Sequence, residues 1–162
     1  MTAAGKPTIY LASPLGFADA TLGFMRELEA ALAALAVVHN PWTAGDFGAA
    51  FAAAAALTDR HEHARRLHDL NMQIAAGNEA AIRRCDLVVA VLDGVDVDSG
   101  TASEIGFAYG LGKRSYGLRT DSRLAGDNSG ALVNLQVQYW IEASGGQVVT
   151  TVDNLLTALR NL

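Results

Sequence analysis

The sequence predicts a three-layer, doubly wound α/β domain built on a mostly parallel five-stranded sheet. Three observations carry this expectation. Short apolar runs alternate with helical patterns along the whole chain. One of them, "DLVVAVLDG" (86–94), is apolar without interruption, as a central parallel strand covered on both faces requires. The chain of 162 residues can bury about two-thirds of its unfolded surface, and no linker, repeat or low-complexity tract divides it. One domain over 1–162 is therefore expected.

Taken in order, "PTIYLA" (7–12) reads as a short buried strand closed by Ser13-Pro14 and a turn at Gly16. Residues 19–35 place Leu22, Met25, Leu28, Leu32 and Leu35 at helical spacing. "AVVHNPW" (36–42) is a second strand that must end at Pro41, because proline has no N–H for a ladder. Residues 43–58 read as a mobile loop leading into a short Ala-rich helix. A longer helix over 59–84 can break near Gly77. After the central strand come a helix over 101–111, a strand over 114–119 and a polar loop. A helix over 131–143, a strand over 147–151 and a closing helix over 152–162 complete the order. Ligands of such sheets bind at the carboxyl ends of the strands. That rule sets residues 10–17, 40–42, 93–104 and 119–123 along one rim.

Composition narrows the partners. A net charge of −5 opposes binding to a nucleic-acid backbone. No run approaches the roughly 18 apolar residues of a membrane span, and the N-terminus lacks a basic segment followed by a long apolar core. The lone cysteine, Cys85, forms no intrachain disulfide and suits a reducing compartment, so a cytoplasmic location is expected.

The candidate chemistry centres on "VDVDSGTASEIGFAYGLGK" (95–113), where Asp98 and Glu104 flank a Gly-Thr turn. Thr101 and Glu104 fit a capping box, in which threonine holds the helix start and glutamate returns to the cap N–H. The same place favours an ionised carboxylate through the helix dipole, and such a carboxylate can attack a sugar carbon. Local pattern alone leaves both readings open.

"IYLASPLGF", "NEAAIRRCDLVVAVLDG", "DSGTASEIGFAYGLGK", "LRTDSR" and "LVNLQ" follow one another in an order that resembles the nucleoside 2-deoxyribosyltransferase family. The resemblance spans about residues 8 to 140, and its D-x-G-T-x-x-E-x-G-x-A block is its most distinctive part. It implies a flavodoxin- or Rossmann-like fold and a cofactor-free, metal-free transferase of nucleoside salvage. In this reading Glu104 is the nucleophile that holds a deoxyribosyl ester, Tyr10 orients it, and Asp98 with Gly100 meets the sugar. Asn134 would reach the sugar of a neighbouring subunit, which implies a homo-oligomer, dimer to hexamer. The partners implied are 2'-deoxynucleosides and free nucleobases. Ser13, Pro14 and Phe17 would line the base pocket, with Phe17 or Trp42 stacking on the heterocycle. Arg119 and Asp121 belong to an R-x-D-x-R cluster similar to one near the family's base site.

One departure stands out. Several members carry an aspartate eight residues before the aspartate of "CDLVVA", where it protonates the base; here that position is Asn78. An amide hydrogen-bonds a base edge but has no titrating proton to give. Other motifs are weaker. In "HEHARRLH" (61–68), His61 and His63 lie on different helix faces and no H-E-x-x-H occurs, so no metal site is expected. Cys85 reads as a small buried residue, and "GFAYGLG" as close helix–sheet packing. No G-x-G-x-x-G follows the first strand. Two alternatives accompany the transferase. The first is an N-glycosidase of deoxynucleoside 5'-monophosphates, with Ser13, Ser99 and Arg119 as the phosphate cradle. The second is a non-catalytic nucleotide-binding module.

Overall fold

A computed structural model describes residues 5–162. The reading of the N-terminus as leader-free falls partly on residues 1–4, outside the described residues. The strands are β1 (Thr8–Ala12), β2 (Val37–His39), β3 (Leu87–Val91), β4 (Arg114–Leu118) and β5 (Val148–Val149). They form one all-parallel sheet in the order β2-β1-β3-β4-β5. The chain leaves β1 toward one edge and returns on its other side, so the order reverses about β1, where a doubly wound sheet opens its crevice. The helices are α1 (Leu22–Ala33), α2 (Gly48–Ala55), α3 (Arg60–Arg84), α4 (Ser99–Gly110), α5 (Leu135–Ala143) and α6 (Val152–Arg160).

Alternation along the buried strands sorts the two faces. Ile9, Leu11, Val89 and Val91 point to a core completed by Leu28 and Leu32 of α1 and Leu155 of α6. Tyr10, Ala12, Val88 and Ala90 point the other way, against Ile82 of α3, Ile105 of α4 and Ile141 of α5. The result is the three-layer α/β fold that the alternating pattern predicts. Both edge strands are short, which limits the backbone left unpaired. At the amino ends of the strands, Asp86 ties β1 to β3 by accepting from Thr8 N–H (2.7 Å) and its hydroxyl (2.8 Å). No helix among the described residues is long and apolar enough to cross a membrane.

Several local expectations are corrected. Helix α3 runs unbroken through Gly77. One glycine costs a helix only about 1 kcal/mol, too little to interrupt 25 residues. Helix α4 starts three residues earlier than the capping box implies. Asp98 is its N-cap and accepts from Thr101 N–H at 2.9 Å, so Thr101 is a first-turn residue and Glu104 caps nothing. Helix α5 starts later than 131, because Asn134 Oδ1 caps it, accepting from Gln136 N–H at 3.0 Å. In "GFAYGLG" the close approach is between helices. A Cβ at Gly106 would sit 2.9 Å from Trp140 of α5, whereas Gly110 has open space. The residues after α5 are tighter still, since a Cβ at Gly146 would lie 1.7 Å from the Ser115 carbonyl oxygen. Gly146→Ala must therefore push α5 and β5 off β4. Thermal unfolding should show a loss of about 3 kcal/mol; unchanged stability would mean that this approach is looser than described.

Candidate active site

A cavity of about 770 Å³ opens beyond the carboxyl ends of β1 and β2, walled by α2, α3 and the first turn of α4. Each wall has a sequence reason. Pro41 stops β2 and sends the chain into the loop that carries Trp42. Trp42 is fixed there by donating its indole N–H to the Ser13 carbonyl at 2.7 Å. The indole also lies over Gly16, where a Cβ would fall 2.0 Å from the ring, so only glycine permits this approach. Phe17 meets Trp42 edge to face at 4.6 Å, and it is 75% exposed while Trp42 is 39% exposed. Neither ring packs into a core, which leaves both free to meet a flat apolar ligand.

The polar floor is built by β1 and α4. Tyr10 is fully buried beneath the cavity, and its hydroxyl donates to Glu104 Oε1 at 2.5 Å. Glu104 lines the cavity together with Asp98, Gly100 and Thr101. Burial raises the Glu104 carboxyl from its ordinary 4.5 to about 7; the Tyr10 hydrogen bond opposes that rise and the Asp98 charge adds to it. Burial and the adjoining carboxylate hold the Tyr10 phenol protonated, so it acts as a donor throughout the physiological range. Asp98 Oδ2 takes both the N–H and the hydroxyl of Thr101. A Cβ at Gly100 would press within 3.1 Å of that oxygen. Asn78 faces the same carboxylate from α3, its Nδ2 3.5 Å from Glu104 Oε1.

The structure thus brings together Tyr10, Ser13, Phe17, Trp42, Asn78, Asp98, Gly100 and Glu104 of the predicted residues. It does not bring the rest. Pro14 precedes the short 3₁₀ turn Leu15–Phe17 and does not line the cavity. Arg119 is 3% exposed, and its guanidinium donates to the carbonyls of Leu92, Gly94 and Arg123. It is a tie between loops. Asp121 pairs with Arg123 at the surface, and this contact holds its carboxyl well below the usual range. Asp93 latches the same loops by accepting from Thr120 and Asp121. Asn134 caps α5 and lies outside the cavity of its own chain. Cys85 is buried, and burial pushes its thiol up. His63 is bonded through Nδ1 to the Ala54 carbonyl at 2.8 Å, joining α2 to α3. No group of three or more His, Cys, Asp or Glu among the described residues can hold a metal ion.

Sequence reasoning passed over several lining residues, chiefly His39, Phe47, Phe51, Gln73 and Arg84. The position of His39 at the carboxyl end of β2, two residues before Pro41, was the available signal for it. Gln73 and Arg84 gave none, because only the long unbroken α3 carries both to this wall.

A crevice at the reversal point of a parallel sheet, floored by a tyrosine-held carboxylate, defines a small-molecule-binding α/β protein. The chain belongs to the nucleoside 2-deoxyribosyltransferase family, whose model matches residues 9–136. No curated protein sequence matches significantly. Among solved structures, a conserved protein from Enterococcus faecalis is 27% identical, with a TM-score of 0.71 over 97% of this chain and 99% of that one. A 2-deoxyribosyltransferase from Bacillus psychrosaccharolyticus is 20% identical (TM-score 0.62, covering 92% and 90%). A CMP N-glycosidase from Clostridium botulinum is 18% identical (TM-score 0.56, covering 94% and 98%). The last two share the fold; by name, one is a transferase and the other a glycosidase.

The raised Glu104 pKa has a cost in stability. Below about pH 4.5 the carboxyl is neutral whether folded or unfolded, and burial costs nothing. Between 4.5 and about 7 the unfolded chain ionises first, so stability falls with rising pH. Glu104→Gln removes this penalty. At pH 8 it should unfold later than the wild type by about 1–2 kcal/mol, and at pH 4.5 at nearly the same temperature. A glutamine variant less stable at pH 8 would contradict the burial.

Proposed function

We propose that this protein exchanges the base of a 2'-deoxynucleoside for a free purine or pyrimidine through a deoxyribosyl ester on Glu104. The observation that carries this reading is the Tyr10–Glu104 hydrogen bond of 2.5 Å on the floor of an apolar-walled cavity. In the first step a Glu104 oxygen bonds to C1' as the C1'–N bond breaks, and its electron pair leaves with the base. In the second, a nitrogen of the incoming base bonds to C1' and releases the carboxylate. Two inversions at one carbon give net retention. No cofactor enters either step.

Tyr10 holds the attacking carboxylate in one rotamer and stabilises its charge, which becomes the leaving-group charge of the second step. Asp98 keeps one carboxylate oxygen for a sugar hydroxyl while its other oxygen starts α4. Phe17 and Trp42 offer faces to the heterocycle, and Asn78 offers its amide to the base edge. For Asn134 the reading requires a second copy of the chain, homo-oligomeric from dimer to hexamer. The exposed Leu132, Leu135 and Tyr139 around it supply apolar surface for such an assembly.

A second reading, hydrolysis of a deoxynucleoside 5'-monophosphate, has one observation in its favour. Arg84 lines the cavity and forms no salt bridge among the described residues, so a cation is available for phosphate. Arg119 no longer supports that reading, because three carbonyls already occupy it.

Deoxyadenosine and its 5'-monophosphate, each incubated with and without hypoxanthine, separate the two. Transfer predicts deoxyinosine formed only from the nucleoside plus hypoxanthine. Loss of the monophosphate at the same rate with or without hypoxanthine would favour hydrolysis. Glu104→Ala should lower exchange by at least about a thousandfold while leaving the fold intact, and near wild-type exchange by that variant would remove Glu104 as nucleophile.

A further inference from the structure

We propose that His39 is the acid that protonates the departing base and then takes the proton of the incoming one. This deepens the base-exchange reading above and rests on it. The need arises from Asn78. A purine leaves far more readily when its N7 is protonated, and the amide at 78 has no proton to give. Of the titratable side chains lining the cavity, Glu104 is occupied as nucleophile and Asp98 as helix cap and sugar contact. Arg84 offers the cavity a guanidinium charge rather than acid–base chemistry. His39 is what remains.

Its geometry suits the task. His39 ends β2, in register with Tyr10 on the neighbouring strand. The two rings stack at 5.7 Å and 19°, so the imidazole lies beside the tyrosine that holds the nucleophile. Its ring wall continues into Pro41 and Trp42, the surface proposed to meet the heterocycle. Neither ring nitrogen hydrogen-bonds to another described residue, in contrast to His63, whose ring is tied to a carbonyl. Tyr10 from β1 stacks on it and Arg84 from α3 acts on it by charge, while Asp98 and Glu104 from α4 are the carboxylates that line the same cavity. Burial first, and the Arg84 charge second, hold its pKa below 6.5, so its imidazolium is a strong proton donor.

The proton balance closes. Imidazolium gives its N–H proton to purine N7 as the C1'–N9 bond breaks and Glu104 bonds C1'. The neutral imidazole then accepts the ring N–H proton of the incoming purine as that nitrogen attacks C1'. Carboxylate and imidazolium are restored, with one base exchanged for another. The active form holds a single proton between Glu104 and His39, so exchange of a natural nucleoside should show a bell-shaped pH profile. Its alkaline limb should lie near the Glu104 value of about 7.

The test uses deoxyinosine and 7-methyl-2'-deoxyguanosine as donors, with adenine as acceptor and release of the donor base as the readout. The second donor already carries a positive charge on its base and leaves without a proton. His39→Gln should slow deoxyinosine cleavage by about 10²–10³-fold and 7-methyl-2'-deoxyguanosine cleavage by less than about threefold. With the wild type, release from the charged donor should rise through about pH 7 and level off, without the fall seen for deoxyinosine. His39→Asn is measured beside it, so that a misfolded glutamine variant does not decide the matter. Equal losses on both donors would overturn the proposal in favour of a stacking role against Tyr10, and no loss on either would overturn it outright. Glu104→Gln distinguishes the underlying reading: if that variant still cleaves both donors, Glu104 is not the nucleophile and both readings fall.

Discussion

Tyr10 rises from the middle of β1 and gives its hydroxyl to Glu104 in the second turn of α4, across the boundary between sheet and helix layer. The carboxylate is half-buried, and burial favours its neutral form. The phenol offsets part of that penalty and fixes the oxygen's direction. Asp98 then has a double effect: its capping bond to Thr101 starts α4 at the right residue, while its charge keeps the neighbouring carboxyl pKa high. The site is a compromise between a carboxylate free enough to attack and a fold that must bury it.

Much of the surrounding structure follows from holding that pair in register. β1 lies between β2 and β3, so Tyr10 is flanked on one side by His39 and on the other by Val88. Small residues on that face, Ala12 and Ala90, let the helices approach closely. The opposite face carries the larger side chains and the packing of α1 and α6, away from any chemistry. Stability and reactivity are thus divided between the two layers. Loops after β3 and β4 are tied to each other by Arg119 and Asp93. The cavity opens beyond the ends of β1 and β2 and is completed by the start of α4.

Features set by local chain chemistry were legible in the sequence. The unbroken apolar run of β3 announced a strand covered on both faces, and Pro41 set a limit for β2, which ends two residues before it at His39. The D-x-G-T-x-x-E spacing singled out both carboxylates that the structure gathers in the cavity. Features set by distant partners were not. Thr101 looked like the cap because the pattern pairs it with Glu104, whereas Glu104 instead bonds Tyr10, 94 positions away, and Asp98 takes the cap. Arg119 looked like a ligand-binding cation because its carbonyl partners come from residues 92, 94 and 123, which no periodicity connects. Arg84 was silent for the same reason, since it joins the cavity only once the length of α3 is known.

The central claim, that Glu104 carries the sugar, is tested most directly by trapping it. A purine 2'-deoxy-2'-fluoroarabinoside should form the glycosyl ester readily enough to accumulate, because the fluorine slows its breakdown. Peptide mass spectrometry after brief incubation should find one fluorinated pentosyl group on the peptide bearing Glu104, lost again when free adenine is added. A protein that exchanges deoxynucleosides yet carries no such group, or carries it on another residue, would contradict the claim.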